Sequence, residues 1–432
     1  RRRPLSLSLF PSLSLSLSLL LLLSPKEAEA ARGINSKLHQ QLQHHDGAED
    51  VRNLQEQIEY HLDYIRDFGY EAEYHTVETE DNYVLALFRI PSARGTQNVN
   101  KKVVILQHGL LGSSFGWVVN LPSQSLAYIM ADAGYDVWMP NSRGNTFSRN
   151  NTKVNTNSEA FWNFSWDEQS RYDMPAVYDY VLGQTGNKDL VYVGHSQGTT
   201  QMFAALSDET IAPLIQPRTS YYIALAPVAY VGNVESQMLH ELSRSYLPEM
   251  MLRFGMEEWL PDESLLHYID PKLCAVDASF CSSLLVAVGG CSLQQKNVSA
   301  VVNYLKIQPA GTSVKNLVHW TQSIREDTYQ MFDYESEKKN EEHYKQKQPP
   351  QYDLSKINLP PKTLFFTGGM DTLADPTDVN RLIRLMQIAT ADDASKMPLD
   401  YNILSYDHLD FTIAITANVQ VYDKILKHLS ED

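Results

Sequence analysis

A serine flanked by glycines stands directly after an apolar run near the middle of the chain. Residues 190–193 read Leu-Val-Tyr-Val, Gly-His-Ser-Gln-Gly follows at 194–198, and a helix-compatible run comes next. A strand that turns sharply into a helix through Gly-x-Ser-x-Gly exposes the serine hydroxyl above a sheet, because the glycines leave room for the strained turn. The pattern predicts that Ser196 is a nucleophile, with a tight structural turn as the alternative. It also predicts that the backbone N–H of Gln197, at a helix N-terminus, stabilises an oxyanion.

A serine nucleophile needs a base and an orienting carboxylate, which follow it in the order serine, acid, histidine in this kind of site. Two histidines lie beyond the last strongly predicted strand. His428 is in a lysine-rich helix end, which is typical of a cation that stabilises a helix C-terminus. His408 is in a turn after a weaker strand at 399–405, where a parallel sheet presents side chains at its carboxyl edge. We therefore predict His408 as the base.

The acid is predicted from its position after a strand. Asp371 is the first carboxylate beyond the predicted strand at 363–367 and its Gly-Gly end. Asp375 precedes a proline and a helical pattern, which is typical of a helix N-cap. Asp407 and Asp410 adjoin the histidine in sequence and would not naturally reach back to its Nδ1. The order of the motif favours Asp371, with Asp375 as the alternative.

A second oxyanion donor is expected from the loop after the strand at 103–107. This loop reads His-Gly-Leu-Leu-Gly at 108–112, and the glycine lets the backbone approach a substrate carbonyl. We predict that the backbone N–H of Leu110 is that donor. The histidines of the two motifs, His108 and His195, are interpreted as buried structural residues.

The elements around these motifs predict an α/β fold. Helical patterns at 126–134 and 171–183 alternate with short apolar runs, which predicts a mostly parallel central sheet with helices on both faces. The first strand closes a hairpin around the Asp-Asn pair at 81–82. The predicted strands lie at 83–90, 103–107, 135–140, 190–193, 221–225, 363–367 and 399–405.

The alternation breaks between residues 227 and 311, where no clear strand is predicted. Leu247, Met250, Met251 and Phe254 have helical spacing, so we predict an inserted, largely helical cap that carries all three cysteines. A second, ordinary helical domain is the alternative. The predicted organisation is a leader at 1–31, a first part of the core at 32–226, the cap at 227–311 and a second part of the core at 312–432.

The leader has the parts of a secretory signal peptide: three arginines, a Leu/Ser tract and Ala-Glu-Ala at 28–30. A low-complexity tail is the alternative. The leader predicts a secreted or lysosomal/vacuolar protein, and no later stretch is long enough to span a membrane. Sequons stand at Asn150, Asn163 and Asn297. We expect glycans at Asn150 and Asn297, because the aromatic neighbours of Asn163 indicate that it is buried.

The composition excludes several classes of protein. The 432 residues carry 36 Lys+Arg against 52 Asp+Glu, a net charge of −16, which disfavours nucleic-acid binding through phosphate neutralisation. Three cysteines are too few for a disulfide scaffold, and no CxxC or Cys/His cluster indicates a structural zinc site. Hydrophobic residues make up 43% of the chain, enough for a large core.

A series of motifs follows in one order along the chain, at 68–70, 77–81, 108–111, 136–138, 141–146, 161–165, 194–198, 309–313, 368–376 and 408–411. Through this series, from about residue 57 to the C-terminus, the chain resembles the acid lipases of the α/β-hydrolase fold, the family of gastric and lysosomal lipases and their plant and invertebrate relatives. The resemblance implies hydrolysis of lipid carboxylic esters, triacylglycerols or steryl esters, without a cofactor. It assigns the same five site residues. It also implies a disulfide between Cys274 and Cys281, which leaves Cys291 free.

The substrate class is a weaker inference from the residues. Met250, Met251, Phe254 and Trp259 could line an acyl tunnel or dock on a lipid–water interface, since methionines and aromatics adapt to flexible chains. The alternative is that they pack the cap on the core. A small-ester hydrolase or serine peptidase could use the same triad, and a non-catalytic binding protein on this scaffold is a further alternative.

Overall fold

The computed structural model describes residues 47–96, 101–259 and 298–431. The chain divides into two units between Glu59 and Tyr60, and residues 47–59 are the described part of the first. The described part of the first unit is the N-terminal portion of one helix. Some predictions lie outside the described residues: the leader at 1–31, Cys274, Cys281, Cys291 and the sequon at Asn297.

The strands of the described residues all belong to the second unit. They are β1 (Glu73–Glu78), β2 (Val84–Ile90), β3 (Val103–Gln107), β4 (Asp136–Pro140), β5 (Leu190–His195), β6 (Thr219–Leu225), β7 (Glu258–Trp259), β8 (Thr312–Ser313), β9 (Lys362–Gly368) and β10 (Leu399–Ile403). Eight of them form one sheet in the order β1-β2-β4-β3-β5-β6-β9-β10, and β7 pairs with β8. β2 is antiparallel to both of its neighbours, and the other pairs of the large sheet are parallel. The predicted α/β class and N-terminal hairpin are confirmed.

The longer helices of the described residues are α1 (Gly47–Arg66), α2 (Leu126–Asp132), α3 (Met174–Thr185), α4 (Gln197–Ser207), α5 (Gln237–Ser245), α6 (Leu247–Arg253), α7 (Val298–Ile307), α8 (Val314–Glu326), α9 (Glu337–Tyr344), α10 (Pro376–Ala389) and α11 (Asp423–Ser430). Shorter helical segments lie at Ser114–Trp117, Thr146–Ser148, Glu159–Trp162, Trp166–Glu168, Gln169–Asp173, Ala212–Ile215, Gln216–Arg218, Leu354–Lys356, Ala394–Lys396, Asp410–Ile413 and Asn418–Tyr422. None of these helices is long and apolar enough to cross a membrane.

The central strands β3, β4 and β5 are buried along their whole length. Such strands are covered on both faces, and each buried Val, Ile or Leu contributes about 1.5–3 kcal/mol to stability. Only the loops at the strand ends can then present side chains to a substrate. The carboxyl ends of β3, β5, β9 and β10 carry the loops in which the site is predicted.

A buried arginine fastens the N-terminal hairpin to the rest of the sheet. Arg143, in the loop after β4, is 1% exposed. Its Nη1 lies 2.5 Å from Asp81 Oδ2 in the hairpin turn, and its Nε donates to Asp173 Oδ1, at 2.7 Å, just before α3. Because both carboxylates face one desolvated cation, removing the arginine would leave negative charge unpaired.

The strands of the large sheet stop at Leu225 and resume at Lys362, and the described chain between them is mainly helical. The predicted insertion at 227–311 ends before α8. Since α8 packs against α5 and α6, we propose that the insertion includes α8 as well.

Helix α6 forms where the helical stripe predicts it. Its side chains, however, do not share one environment. Met251 is 4% exposed, whereas Met250 is 42% and Phe254 is 72% exposed. Of the alternatives for these residues, packing of the cap on the core therefore fits the buried Met251 and does not fit the exposed Met250 and Phe254.

Candidate active site

Ser196 occupies a strained turn between β5 and α4. Its backbone angles are φ 54° and ψ −122°. A Cβ on Gly194 would lie 2.8 Å from the backbone of Gly198, and one on Gly198 would lie 2.7 Å from the carbonyl oxygen of Gln107. Both flanking positions therefore require glycine, and the predicted strand, turn and helix are confirmed.

The structure brings Ser196, His408 and Asp371 together from three separate loops. His408 Nε2 lies 2.7 Å from Ser196 Oγ, and His408 Nδ1 lies 3.0 Å from each carboxylate oxygen of Asp371. The histidine is 3% exposed and the aspartate 2%. This arrangement lets the imidazole accept the serine proton while its Nδ1–H donates to the carboxylate.

The alternatives for base and acid lie elsewhere. His428 lies on helix α11, and its Nε2 is 2.6 Å from the hydroxyl of Tyr401. Asp375 caps α10 by accepting from the backbone N–H of Thr377 at 2.7 Å. Asp375 is therefore the helix cap that the sequence indicates, and His428, in the last turn of α11, contacts Tyr401 and not the serine.

Asp407 has a role that the sequence analysis missed. Its Oδ1 accepts from the backbone N–H of His408 at 2.7 Å and from that of Thr372 at 3.2 Å. Burial raises the pKa of Asp407. The carboxylate ties the loop after β10 to the loop after β9, so it fixes the base relative to the acid. Its position next to the histidine was the only signal in the sequence.

The two predicted oxyanion donors lie beside the nucleophile. Gln197 is the first residue of α4, so its N–H has no partner within the helix. Leu110 and Ser196 line the same cavity. The preceding Gly109 is so close that a Cβ there would lie 2.8 Å from the Cβ of Ser196. The loop after β3 therefore approaches the serine with its backbone.

The two motif histidines are buried, as predicted. His108 Nε2 accepts from the N–H of Ser142 at 3.0 Å, and its Nδ1 donates to Gly109 O at 2.8 Å. His195 Nε2 donates to the carbonyl oxygen of His408 at 2.9 Å. Burial lowers the pKa of His108 to about 4 and that of His195 to about 3, so both are neutral. His195 thus supports the base through its backbone.

A partly buried acidic pair lies under the start of α8. Asp167 accepts from the hydroxyl of Tyr352 at 2.7 Å and from the N–H of Phe332 at 2.8 Å. Its neighbour Glu168 pairs with Lys315 at 3.3 Å. Burial, with a smaller contribution from the charge of Glu168, raises the pKa of Asp167 to about 7. This carboxyl therefore changes its charge near neutral pH.

An apolar cavity of about 160 Å³ opens beside Ser196. Much of its wall comes from the chain between β6 and β9. Trp259 lines it, which is one of the alternatives given for this residue, whereas Met250, Met251 and Phe254 are not among the lining residues of the described chain. Other apolar residues of the wall are Val231, Val234, Leu242, Leu305, Leu317 and Trp320.

The exposure of the sequons agrees with the prediction for Asn150 and not with that for Asn163. Asn150 is exposed, as a glycan acceptor must be. Asn163 is exposed as well, although Phe161, Trp162 and Phe164 around it are buried. The expectation that Asn163 is buried is wrong, because its side chain turns outward at the end of a short helix.

The sheet and the Ser-His-Asp geometry define an α/β hydrolase. A family model described as "Partial alpha/beta-hydrolase lipase region" matches residues 62–121, and one described as "alpha/beta hydrolase fold" matches residues 102–216. The chain is 39% identical to gastric triacylglycerol lipase of Rattus norvegicus over 84% of this chain and 90% of the relative. It is 40% identical to lysosomal acid lipase/cholesteryl ester hydrolase of Homo sapiens over 83% of this chain and 88% of the relative. The chain belongs to the family of gastric and lysosomal acid lipases, and the resemblance in the sequence motifs is confirmed.

Solved structures agree on the fold. A soluble variant of monoglyceride lipase from Saccharomyces cerevisiae matches with a TM-score of 0.51 at 15% identity, over 82% of this chain and 94% of that chain. A bacterial membrane phospholipase A matches with a TM-score of 0.50 at 14% identity, over 96% of this chain and 98% of that chain. At these identities the likeness establishes the shared fold alone.

Proposed function

We propose that this chain hydrolyses carboxylic esters of lipids, triacylglycerols or steryl esters, through an acyl-enzyme on Ser196. The observation that carries the proposal is the 2.7 Å contact between Ser196 Oγ and His408 Nε2 at the mouth of an apolar cavity. Family membership supports the same reaction, because the relatives' names specify triacylglycerol and cholesteryl esters.

The first half of the reaction acylates the serine. Ser196 Oγ attacks the ester carbonyl carbon while His408 Nε2 takes the hydroxyl proton. The carbonyl oxygen becomes an anion, which the backbone N–H groups of Leu110 and Gln197 stabilise. Asp371 accepts a hydrogen bond from the Nδ1–H of His408 and so stabilises the imidazolium. His408 then gives its proton to the leaving alcohol, and the ester bond breaks.

The second half releases the acid. A water molecule gives a proton to His408 and attacks the acyl carbon, and the anion forms again at the same two donors. The bond to Ser196 Oγ then breaks, the serine regains its proton, and the fatty acid leaves. No cofactor takes part in these steps.

The cavity favours an acyl chain over a peptide. Apolar groups such as Leu242, Leu305 and Leu317 line much of its wall. A hydrocarbon chain gains about 0.8 kcal/mol for each CH₂ that leaves water, whereas peptide amides would lose hydrogen bonds on such a wall. We propose a lipid ester, reached at a lipid–water interface, as the substrate.

Two experiments with the full chain test this proposal. Ser196→Ala should keep the wild-type melting temperature and lose ester hydrolysis, and a fluorophosphonate should label wild type but not the variant. A panel of emulsified triacylglycerol, steryl ester, short-chain ester and aminoacyl amide then identifies the substrate class. Full activity in Ser196→Ala would refute the nucleophile. Faster cleavage of the amide would favour a peptidase, and equal rates on all acyl lengths a small-ester hydrolase.

We further propose that the protein is secreted or lysosomal/vacuolar and carries a glycan at Asn150, with Asn163 as an additional exposed acceptor. Expression in a eukaryotic secretory host should give a band that shifts on glycosidase treatment. Asn150→Gln should remove part of that shift. The disulfide between Cys274 and Cys281 stays a proposal, which peptide mapping without reduction would check.

A further inference from the structure

The side chain of Gln197 is held on all sides by a buried amide network. Its Oε1 accepts from Asn316 Nδ2 at 2.9 Å and from Trp320 Nε1 at 2.8 Å. Its Nε2 donates to Gln169 Oε1 at 2.9 Å. Gln197 is 2% exposed. Three good hydrogen bonds therefore fix the rotamer of a residue whose backbone N–H is the proposed oxyanion donor.

The same network reaches the loop of the other proposed donor. Gln169 Oε1 also accepts from Gln201 Nε2 at 2.7 Å, and Gln201 lies 3.4 Å from Ser142 Oγ. Gln107 Nε2 donates to that hydroxyl at 3.1 Å. Since Gln107 is the last residue of β3, the network connects Gln197 to the start of the loop that contains Leu110.

Helix α8 supplies two of the three groups that bind Gln197, and it is itself anchored. The N–H of Trp166 donates to Asn316 Oδ1 at 2.9 Å. Ser313 caps the helix by accepting from the N–H of Asn316 at 2.9 Å. Trp320 is 6% exposed and lines the cavity beside Ser196. The two donors therefore come from a rigid element rather than from a mobile loop.

We propose that Asn316 and Trp320 are positioning residues for the oxyanion site: they hold the Gln197 side chain and thereby the peptide between Ser196 and Gln197. This inference rests on the proposed ester hydrolysis. Ser196 has a positive φ, and such a conformation persists only when the surroundings hold it. An oxyanion donor must also lie about 2.7–3.1 Å from the developing charge. A free Gln197 side chain would let this peptide turn away.

The test removes the hydrogen bonds and leaves the backbone N–H in place. Gln197→Met removes all three. Trp320→Phe removes one and keeps an aromatic ring in the cavity wall, and Asn316→Ala serves where that variant does not fold. Trp162→Phe is the matched control, because its Nε1 donates to Thr156 O at 2.8 Å, away from the network.

The measurements separate stabilisation of the oxyanion from binding of the substrate. Fluorophosphonate titration first gives the fraction of active enzyme. We then measure kcat and KM on a short-chain ester and the affinity for an alkyl trifluoromethyl ketone. Ser196 Oγ bonds to the ketone carbon, the serine proton passes to His408, and the ketone oxygen becomes the anion. A primary alcohol of equal chain length fills the cavity without forming an anion.

We expect kcat per active site and ketone affinity to fall together, by about 100-fold in Gln197→Met and about 5–30-fold in Trp320→Phe. KM and alcohol affinity should stay within about twofold in Gln197→Met, whose side chain is not among the groups that line the cavity, and Trp162→Phe should match wild type in all four. The inference is wrong if Gln197→Met and Trp320→Phe have lower melting temperatures than wild type but keep its kcat per active site and its ketone affinity. Wild-type protein that neither hydrolyses the ester nor reacts with the phosphonate would instead refute the proposed function, and this inference with it.

Discussion

Replacing Asp371 with asparagine changes the tautomer of His408 while conserving shape. Asp371 Oδ1 accepts from the backbone N–H of Leu373 at 2.9 Å and from that of Ala374 at 2.7 Å. In Asp371→Asn the amide oxygen must stay at this position, because an NH₂ there would face two N–H groups. The NH₂ then takes the Oδ2 position, 3.0 Å from His408 Nδ1. Two donors would then face each other at this position unless Nδ1 gives up its proton, and the oxygen at the Oδ1 position, also 3.0 Å from Nδ1, already accepts from the two backbone N–H groups.

The imidazole of the variant is therefore stabilised with its proton on Nε2, 2.7 Å from Ser196 Oγ. In that tautomer it cannot accept the serine proton. We expect kcat to fall by about 10⁴-fold, which is roughly 5 kcal/mol at 1.36 kcal/mol for each factor of ten. The backbone acceptor survives, so the free energy of unfolding should change by only about 1 kcal/mol.

The assay is pre-steady-state hydrolysis of a chromogenic ester, which separates acylation from the amount of active enzyme. Asp375→Asn is the matched control, because it makes the same substitution at the N-cap of α10, where asparagine caps about as well as aspartate. Its kcat should stay within about twofold of wild type. An Asp371→Asn variant that keeps more than about a tenth of the wild-type rate would show that the carboxylate does not control the tautomer.

Three further predictions concern the backbone, the buried charges and the pH dependence. In Gly109→Ala the new Cβ would lie 2.8 Å from that of Ser196. We therefore expect kcat to fall at least about tenfold, and the free energy of unfolding measured in urea to fall by about 1–3 kcal/mol because the site is overpacked. Arg143→Met leaves two carboxylates without their cation and should lower the free energy of unfolding by about 3–5 kcal/mol. The folded-state pKa of Asp167 is raised from 3.8 to about 7. Its protonated form therefore contributes fully to the free energy of unfolding below about pH 4, and this contribution is lost as the pH rises through about 7. Because asparagine does not titrate, the melting temperature of Asp167→Asn minus that of wild type should become more positive between about pH 4 and pH 8.

Each of these predictions has an outcome that contradicts it. A fully active Gly109→Ala would mean that the loop after β3 can move back from the serine without cost. Arg94→Met is the control for Arg143→Met, since Arg94 forms an exposed ion pair and should change stability by less than about 1 kcal/mol. Equal losses in the two variants would show that burial does not matter for this cation. A melting-temperature difference that stays flat with pH would mean that Asp167 is charged throughout.

The central part of the fold could be predicted because its residues obey local rules. The strand predicted at 103–107 is found with the same bounds as β3, and the other predicted strands are found within two residues at each end. Except for β10, which is largely exposed and carries polar residues, these strands are short, apolar and mostly buried, so their composition alone marks them. The order serine, acid, histidine along the chain likewise pointed to the three side chains that the structure brings into contact.

The network around Gln197 could not be predicted because it depends on distant contacts. Asn316 and Trp320 lie 119 and 123 residues from Gln197 in sequence. In the sequence they are ordinary members of a helix, and no local pattern marks a partner so far away. The exposure of Met250 and Phe254 could not be predicted for a related reason. Helical spacing predicts that a helix forms, but it does not say which face the rest of the insertion covers.

Helix α8 shows why the insertion affects two properties of the site at once. Leu317, Trp320 and Ile324 repeat at helical spacing and line the cavity, whereas Asn316 lies one turn before Trp320 and binds Gln197. Substitutions at Leu317 or Ile324 should therefore change the preference for acyl length and leave the oxyanion site intact. Trp320 belongs to both sets, because its ring forms cavity wall while its N–H holds Gln197. A smaller side chain at Trp320 would enlarge the cavity, but it would also remove the N–H that holds Gln197 and its backbone donor. Acyl preference and turnover are therefore coupled at this residue.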